Sequence, residues 1–540
     1  MKLSHKIGCS LPWIAIGMFL IHATDGVAAE RPPNIVFILA DDLGIMDVGA
    51  YATHLSQAKL EERFYETPHI DALTKKGIAF SQAYANQLCS PTRAAILTGR
   101  YASRLGVTTA TPQTKTYYNQ GIEPPSGYSP HDAFGHKDAI QGQLAWENAH
   151  SNTAVSPELP TLPKVLASHD CAFMGKWHLG GHGAKGQQPR DHGFTEIAYF
   201  DAGGSPYFNW RRLWDQRKLP YPTMPQDEWT IGTSGNSSGK EYLTEDLTIQ
   251  ANRYLKQRAE TPDQPFFLYF AHFSVHTPLQ AQQDAIDYFD GRPQKGAGGQ
   301  DNAIYAAMVK HLDDSVGSVM ATLQETGLDK NTIVVFSSDN GGVEYTSPPA
   351  TDNFPFKGGK ACLYEGGVRV PLVVYQSGKY DQGLWCDTPV NCIDFLPSFA
   401  DLTGNSIPAG VDGQSLLSLL NQPHSETPPR TFYWHYPFNV IVKHPDNGFP
   451  LAPHSAIRVG DHKLIWDWHG KVELYDIPND PFEQHDLAKS QPDRTERLLG
   501  ELKAWLRENV KTQYFPRLNP AYDANLDPRG PMVNLWTQQR

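Results

Sequence analysis

The chain has 540 residues, a formal net charge of −12, and 40% hydrophobic against 19% charged residues. That length exceeds one ordinary core and calls for a large domain plus a smaller one. The acidic balance excludes a general nucleic-acid binder, which needs a basic surface, and the ordinary hydrophobic fraction excludes a disordered chain or a membrane bundle.

The first 29 residues read as a signal peptide. Lys2 and Lys6 form a basic start, Leu11 to Ile21 a mostly apolar stretch, and Val27-Ala28-Ala29 a small-residue cleavage site before Glu30. The apolar stretch falls short of the roughly 20 residues of a spanning helix, so no stable membrane anchor is expected. The mature protein is expected to be exported, to the periplasm or the extracellular medium. Five cysteines then remain, Cys89, Cys171, Cys362, Cys386 and Cys392. An odd count in an exported protein leaves one thiol over or chemically altered. Cys386 and Cys392 are close enough to bridge, and spacing alone leaves the question open.

Asn34 to Ala40 is a continuous apolar run, the pattern of a strand buried on both faces, and it runs into Asp41-Asp42. In the run CSPTRAAILTGR over 89–100, Pro91 suits the first turn of a helix that Ala94 to Leu97 continue. Cys89 therefore sits at a helix N-terminus, where free N–H groups favour negative charge, with Arg93 about one turn on. Segments 108–156 and 201–239 look like insertions able to shape a pocket. Phe266 to Phe270 reads as a second strand and leads to His272 and His276. A helical stripe through Met308, Leu312, Val316 and Met320 turns at Gly327 into a third strand, Thr332 to Phe336, which runs on to Asp339-Asn340.

Strands alternating with helices give the expected fold class: α/β, with a large, mixed, mostly parallel sheet flanked by helices. Beyond residue 425 the pattern changes to short strands, Thr431–Tyr436, Ala456–Val459, Lys463–Trp468 and Val472–Tyr475, with turns at Gly460-Asp461 and His469-Gly470. A helix follows with Leu498, Leu499, Leu502, Trp505 and Leu506 on one stripe. The expected organisation is a signal peptide over 1–29, a catalytic domain over 30–428, and a smaller C-terminal antiparallel sheet with a packed helix and an irregular tail over 429–540.

In open α/β sheets, ligands bind at the carboxyl ends of strands. Asp41-Asp42 and Asp339-Asn340 brought together there would repel unless a cation lay between them. Oxygen ligands of this kind fit a hard ion, Ca2+ or Mg2+. Taken singly, an Asp pair is more often a helix cap or a turn, and a lone Cys near an Arg is more often a buried thiol beside a surface charge.

Together these segments resemble a type I sulfatase of the alkaline phosphatase-like superfamily. Cys89, Pro91, Arg93, Thr98 and Gly99 match the Cys-x-Pro-x-Arg signature with its downstream Thr-Gly. NIVFILADDLG at 34–44, GKWHLG at 175–180, FKGGKACLYEGGVRVP at 356–371 and LYDIPNDPFE at 474–483 resemble further family motifs. The resemblance implies that Cys89 is oxidised to Cα-formylglycine by a formylglycine-generating enzyme, and that Asp41, Asp42, Asp339 and Asn340 bind calcium with the modified Cys89. It implies that Arg93 holds the formylglycine, that Lys176 and Lys360 contact sulfate oxygens, that His178 acts at the formylglycine, and that His276 protonates the leaving oxygen. Val275 departs from the proline often found before that histidine. His182, His192 and His272 are expected to pack rather than to react, and Tyr364, Glu365 and Arg369 to shape the loop after Lys360.

For the alcohol side of the ester, the insertions offer Tyr117, Tyr118, Asn119, Trp146, Tyr207, Asn209, Trp210, Arg211 and Arg212. Aromatic faces with amide and guanidinium donors suit a sulfated oligosaccharide or polysaccharide, and packing of the insertions is an equal reading. Export favours a polysaccharide-degrading bacterium, and the single sequon Asn236-Ser237-Ser238 does not argue for a eukaryote. The rival readings are a phosphonate or phosphate monoester hydrolase on the same scaffold, and a catalytically inactive binder of sulfated glycans.

Overall fold

The computed structural model of the protein describes residue 1 and residues 31–537, apart from 57–58, 60–62, 112–114, 118–128, 132–141, 181–185, 201–202, 209, 211–241, 294–295, 297–299 and 447. Residues 2–29 of the expected signal peptide and the sequon lie outside the described residues.

An eight-stranded sheet organises the molecule. Its strands are β1 (Asn34–Ala40), β2 (Ile78–Phe80), β3 (Asp170–Lys176), β4 (Thr195–Phe200), β5 (Phe266–Ala271), β6 (Thr332–Ser338), β7 (Leu372–Tyr375) and β8 (Leu384–Cys386). The spatial order is β8-β2-β7-β6-β1-β5-β3-β4. Only β7 runs against the rest: its pairings with β6 and β2 are antiparallel, and the other pairings are parallel. The mixed, mostly parallel sheet expected from the sequence is therefore present.

β1 lies at the centre, and its alternation builds two cores. Val36, Ile38 and Ala40 face one layer with the long helices α2 (Leu243–Ala259) and α3 (Ala303–Thr326). Ile35, Phe37 and Leu39 face the other, with α1 (Cys89–Thr98) and α4 (Phe395–Leu402). A strand covered on both sides must be apolar throughout, which is why β1 reads as an unbroken run. The Asn302 side chain caps α3 by accepting from the backbone N–H groups of Ile304 and Tyr305 at 3.1 and 3.2 Å. Gly327 ends α3 at a φ of +71°, as the turn signal requires. All of α1 is buried, Arg93 included, so this helix shows no amphipathic stripe.

Toward the C-terminus a four-stranded antiparallel sheet forms from β9 (Thr431–Tyr436), β10 (His454–Val459), β11 (His462–Asp467) and β12 (Val472–Asp476), paired in that order. Its strand ends shift by one or two residues from expectation. Gly460 and Gly470 hold the two tight turns at positive φ. Helix α5 (Pro492–Asn509) buries Leu498, Leu502 and Leu506 against Leu464, Trp466 and Leu474. Each leucine so buried contributes about 2 kcal/mol. The tail is largely irregular, but Arg517–Leu518 pairs with Trp146–Glu147, so one stretch does form a short strand. Pro32–Arg540 make one compact unit, and no helix among the described residues is long and apolar enough to cross a membrane.

Candidate active site

Four neighbouring strands, β6-β1-β5-β3, end level with one another. Ala40 pairs with Ser338, Leu39 with Ala271, and Ala271 with Gly175. The residues that follow, Asp41-Asp42, Asp339-Asn340 and His272, therefore project from one edge beside Lys176. Gly175 makes this possible. Its φ is +102°, and a Cβ there would lie 1.8 Å from the Ala271 carbonyl oxygen. Asp42 and His178 also hold positive φ values of 63° and 56°. Such conformations cost about 1–3 kcal/mol each and persist only where the surroundings fix them.

Three carboxylates, on Asp41, Asp42 and Asp339, meet three cations, on Arg93, Lys176 and Lys360, and all six side chains are buried. Arg93 donates through Nε and Nη2 to Asp339 Oδ2 at 3.0 and 2.7 Å, and through Nη1 to the Lys176 carbonyl at 2.7 Å. Lys176 Nζ lies 2.5 Å from Asp41 Oδ2, and Lys360 Nζ 2.7 Å from Asp42 Oδ2. The surface position that an arginine near a lone cysteine would usually take is therefore not the one Arg93 has. Asn340 Nδ2 donates to Asp42 Oδ1 at 2.8 Å, so both strand-end pairs meet.

Burial pushes Asp41 well above the usual carboxylate range, Asp339 and Asp42 add to that, and Lys176 and Arg93 only partly offset it. Burial would raise Asp42 too, but Lys360, His276 and Lys176 hold it below the usual range. The Lys360 ammonium resists desolvation because Asp42 sits beside it, and its pKa is raised well above the ordinary lysine value. Burial pushes the Cys89 thiol up, with Lys176 and Lys360 opposing, so an unmodified Cys89 is a poor nucleophile.

The residues fit a hard divalent cation. Asp41 Oδ1 and Asn340 Oδ1 are buried acceptors with no hydrogen-bond donor, an expensive state unless something positive faces them. Ligand atoms of Asp41, Cys89 and Asp339 lie within 4.8 Å of one another. Oxygen donors and no second sulfur favour calcium or magnesium over zinc.

The two histidines differ in which nitrogen they offer. His178 Nε2 lies 2.8 Å from the Thr111 carbonyl, so Nε2 carries the proton and the buried, unpartnered Nδ1 is the base. Burial, with Lys176 and Arg93, holds this ring well below the ordinary histidine range, hence neutral. His276 Nδ1 lies 2.6 Å from the Thr277 carbonyl, which leaves Nε2 facing Asp42 Oδ2 at 3.6 Å. Burial and Lys360 push His276 down to about 3. Val275 earns its place next to it: its N–H donates to the Asp41 carbonyl at 2.6 Å, a bond proline cannot make.

Several partners carried no signal in the sequence. Ser90 Oγ and Thr111 Oγ1 both donate to the His178 carbonyl, at 2.9 and 3.2 Å. Gly203 passes so close that a Cβ would meet His178 Nε2 at 2.7 Å, and one on Gly204 would meet His276 Nδ1 at 3.4 Å. The hydroxyls are anonymous in sequence because their bonds run to backbone 21 to 88 positions away.

Other expectations resolve differently. Trp146, Tyr207 and Trp210 are buried and serve packing rather than a sugar. Trp146 Nε1 donates to the Trp468 carbonyl, Tyr207 Oη to the carbonyls of Phe273 and His276, and Trp210 Nε1 to Asp246. Tyr118, Asn119, His182, Asn209, Arg211 and Arg212 lie outside the described residues, as does the placement of the Tyr117 side chain. His192 packs on Trp177, and His272 Nε2 meets Ser315 Oγ at 3.2 Å, so both stay out of the site. Cys386 and Cys392 are free thiols, as are Cys89, Cys171 and Cys362.

Known protein families and structures share sequence and fold with this chain. A family model described as Sulfatase matches residues 33–405, and one described as N-sulphoglucosamine sulphohydrolase, C-terminal, matches 358–512. A sulfatase of Formosa agariphila is 28% identical over 536 residues, spanning 89% of this chain and 90% of the relative. The N-acetylgalactosamine-6-sulfatase of Rattus norvegicus is 30% identical over 462 residues, spanning 83% of this chain and 74% of the relative. The crystal structure of Ps i-CgsB superimposes with a TM-score of 0.67 at 27% identity, covering 90% of this chain and 95% of that one. It has also been solved in complex with k-i-k-neocarrahexaose.

Proposed function

Because the chain belongs to the sulfatase family and is a sulfuric ester hydrolase, we propose that it desulfates a sulfated oligosaccharide or polysaccharide, using a formylglycine made from Cys89 beside a bound calcium ion. The observation that carries this is the convergence of Cys89, Arg93, Asp41, Asp42, Asp339 and Asn340 at the ends of adjacent strands, with two buried lysines on the same carboxylates. The charges support it. Three carboxylates balance three cations, so a divalent ion would leave the site with a net charge of +2. That suits a monoanionic sulfate ester that becomes a dianion on cleavage.

Asp41, Asp42, Asp339 and Asn340 would hold the ion, with residue 89. The ion would polarise a sulfate oxygen and lower the pKa of the attacking hydroxyl. An aldehyde at residue 89 supplies a hydrated pair of hydroxyls, one to attack sulfur and the other to let sulfate leave. Arg93 orients this part of the site by fixing Asp339 and the Lys176 carbonyl. Lys176 and Lys360 neutralise charge building on the sulfate oxygens. His178, protonated on Nε2 by its bond to Thr111, takes a proton at Nδ1. His276 presents Nε2 to the leaving oxygen, and the anionic ester raises its proton affinity on binding.

Carbohydrate as the alcohol is supported by the N-acetylgalactosamine-6-sulfatase relative and by the neocarrahexaose complex of Ps i-CgsB. Export through the 1–29 segment would bring the enzyme to such polymers. We read 429–540 as a C-terminal subdomain serving the same site. The test is desulfation of a panel of defined sulfated oligosaccharides beside aryl sulfate and aryl phosphate. Release of sulfate from members of the panel supports the reading. A strong preference for aryl phosphate overturns it in favour of the phosphate monoester hydrolase.

A further inference from the structure

Apart from the proposed metal ligands, a second set of buried charges joins the C-terminal sheet to the loop that carries Lys360. Lys463, on β11, is fully buried between two carboxylates: its Nζ lies 2.9 Å from Glu365 Oε1 and 3.0 Å from Glu483 Oε1. Glu483 also accepts from the Glu365 backbone N–H at 2.6 Å. The other oxygen of Glu365 accepts from Tyr84 Oη at 2.7 Å and Arg369 Nη1 at 3.3 Å. Arg458, beside Lys463 on β10, donates to Tyr84 Oη in turn.

These contacts converge on one piece of backbone. Residues 357–367 close on themselves through Gly366 N–H to the Lys357 carbonyl at 3.0 Å. The loop then grips both halves of the site. Ala361 donates to the carbonyl of Gln87, two residues before Cys89, at 2.8 Å. Lys360 donates to the Gly342 carbonyl at 2.9 Å, and Gly341 to the Gly367 carbonyl at 3.0 Å. Lys360 is thus suspended from a loop whose buried carboxylate, Glu365, is held from the C-terminal sheet.

Stability alone is a poor reason for such a cluster. Buried ion pairs recover their desolvation cost only narrowly, and apolar replacements of like volume are often as stable. What two carboxylates around one ammonium do provide is a fixed position. We infer that Lys463 is a positioning residue of the catalytic site, holding the Lys360 loop in register with Asp42 through Glu365 and Glu483. The inference rests on the sulfatase reading for the role of Lys360. It makes β11 part of the catalytic apparatus, and it gives the motif around Glu483 a task beyond packing.

The test is a double-mutant cycle on the full-length protein with a balanced variant, K463M/E483Q, which removes one cation and one anion together. Formylglycine content at residue 89 is measured in every variant by peptide mass. If Lys463 acts through Lys360, kcat/KM for an aryl sulfate falls about tenfold or more in the wild-type background and by less than about twofold in a K360A background. Equal losses in both backgrounds, or none in the first, overturn the inference. Should K463M/E483Q melt too low to assay, K463R, which keeps the charge and changes the reach, is read in the same cycle by the same two outcomes. If the wild-type protein releases no sulfate, the sulfatase reading fails separately, and the same cycle is decided on affinity for inorganic sulfate.

Discussion

Arg93 grips Asp339 with two nitrogens on one carboxylate oxygen, Nε at 3.0 Å and Nη2 at 2.7 Å, while both side chains are buried. Desolvation works against the charged guanidinium, yet Asp339 and Asp41 raise its pKa further above the ordinary arginine value. Replacing Arg93 with lysine keeps the charge and loses the fork. R93K is expected to lower kcat by about a hundredfold, and R93A to destabilise the fold by about 3–5 kcal/mol, because it leaves Asp339 buried without its main partner. Thermal unfolding together with aryl sulfate kinetics checks both, with residue 89 examined by mass so that failed maturation is not mistaken for lost catalysis.

Removal of the metal should register in stability as well as in rate. Among the described residues, Asp41 Oδ1 and Asn340 Oδ1 have no hydrogen-bond donor. A ligand present at about a hundred times its Kd stabilises the folded state by about 2.7 kcal/mol. Dialysis against a chelator is expected to lower the melting temperature by several degrees and abolish turnover, and added calcium to restore both. An unchanged melting temperature would mean that the carboxylates are satisfied by Lys176, Lys360 and Arg93 alone.

Gly175 should tolerate no side chain. A Cβ would lie 1.8 Å from the Ala271 carbonyl oxygen, on a backbone already at φ +102°. G175A is expected to cost about 3 kcal/mol or more, since neither the strand backbone nor the left-handed conformation can relax. Denaturant unfolding of the variant measures the loss.

Acid should weaken the fold through buried histidines that take no part in the site. Burial pushes His192, His435 and His454 each down to about 4. Their unfolded value is about 6.5, so between those limits the unfolded chain binds more protons than the folded one. Stability is therefore full above about pH 6.5 and is lost as pH falls toward about 4, by about 3 kcal/mol for one such group. His454 donates from Nδ1 to the Ala452 carbonyl, at 2.8 Å, and its Nε2 has no partner. H454N keeps a donor near Nδ1 and removes the titration, so calorimetry from pH 7 to 4 should show a shallower fall in melting temperature than the wild type.

How much of this was legible in sequence varied with the kind of interaction. β1 reads plainly because a strand covered on both faces must be apolar along its length, and α3 because its apolar residues recur at helical spacing up to a glycine stop. β3, DCAFMGK, gives no such signal: its exposed start and its Gly175 break the apolar run. Lys176 and His178 were therefore visible only through the motif resemblance. Cys89, Arg93 and the strand-end acids stood out by residue type and position. The bonds from Ser90 and Thr111 to His178, and from Lys463 to Glu365, connect residues far apart in the chain, and no local pattern encodes them. Trp146, Tyr207 and Trp210 leave two readings open in sequence for a related reason: an aromatic with a polar tip looks alike whether that tip meets a sugar or a buried carbonyl.

Residue 89, as an aldehyde among Asp41, Asp42, Asp339 and Arg93, is proposed to cleave a sulfate ester. The most direct measurement takes protein matured by a formylglycine-generating enzyme and compares sulfate release from an aryl sulfate with the mass of the peptide carrying residue 89. Activity is expected to rise in proportion to the aldehyde fraction and to vanish in C89A. Full activity from protein in which residue 89 is entirely thiol would contradict it.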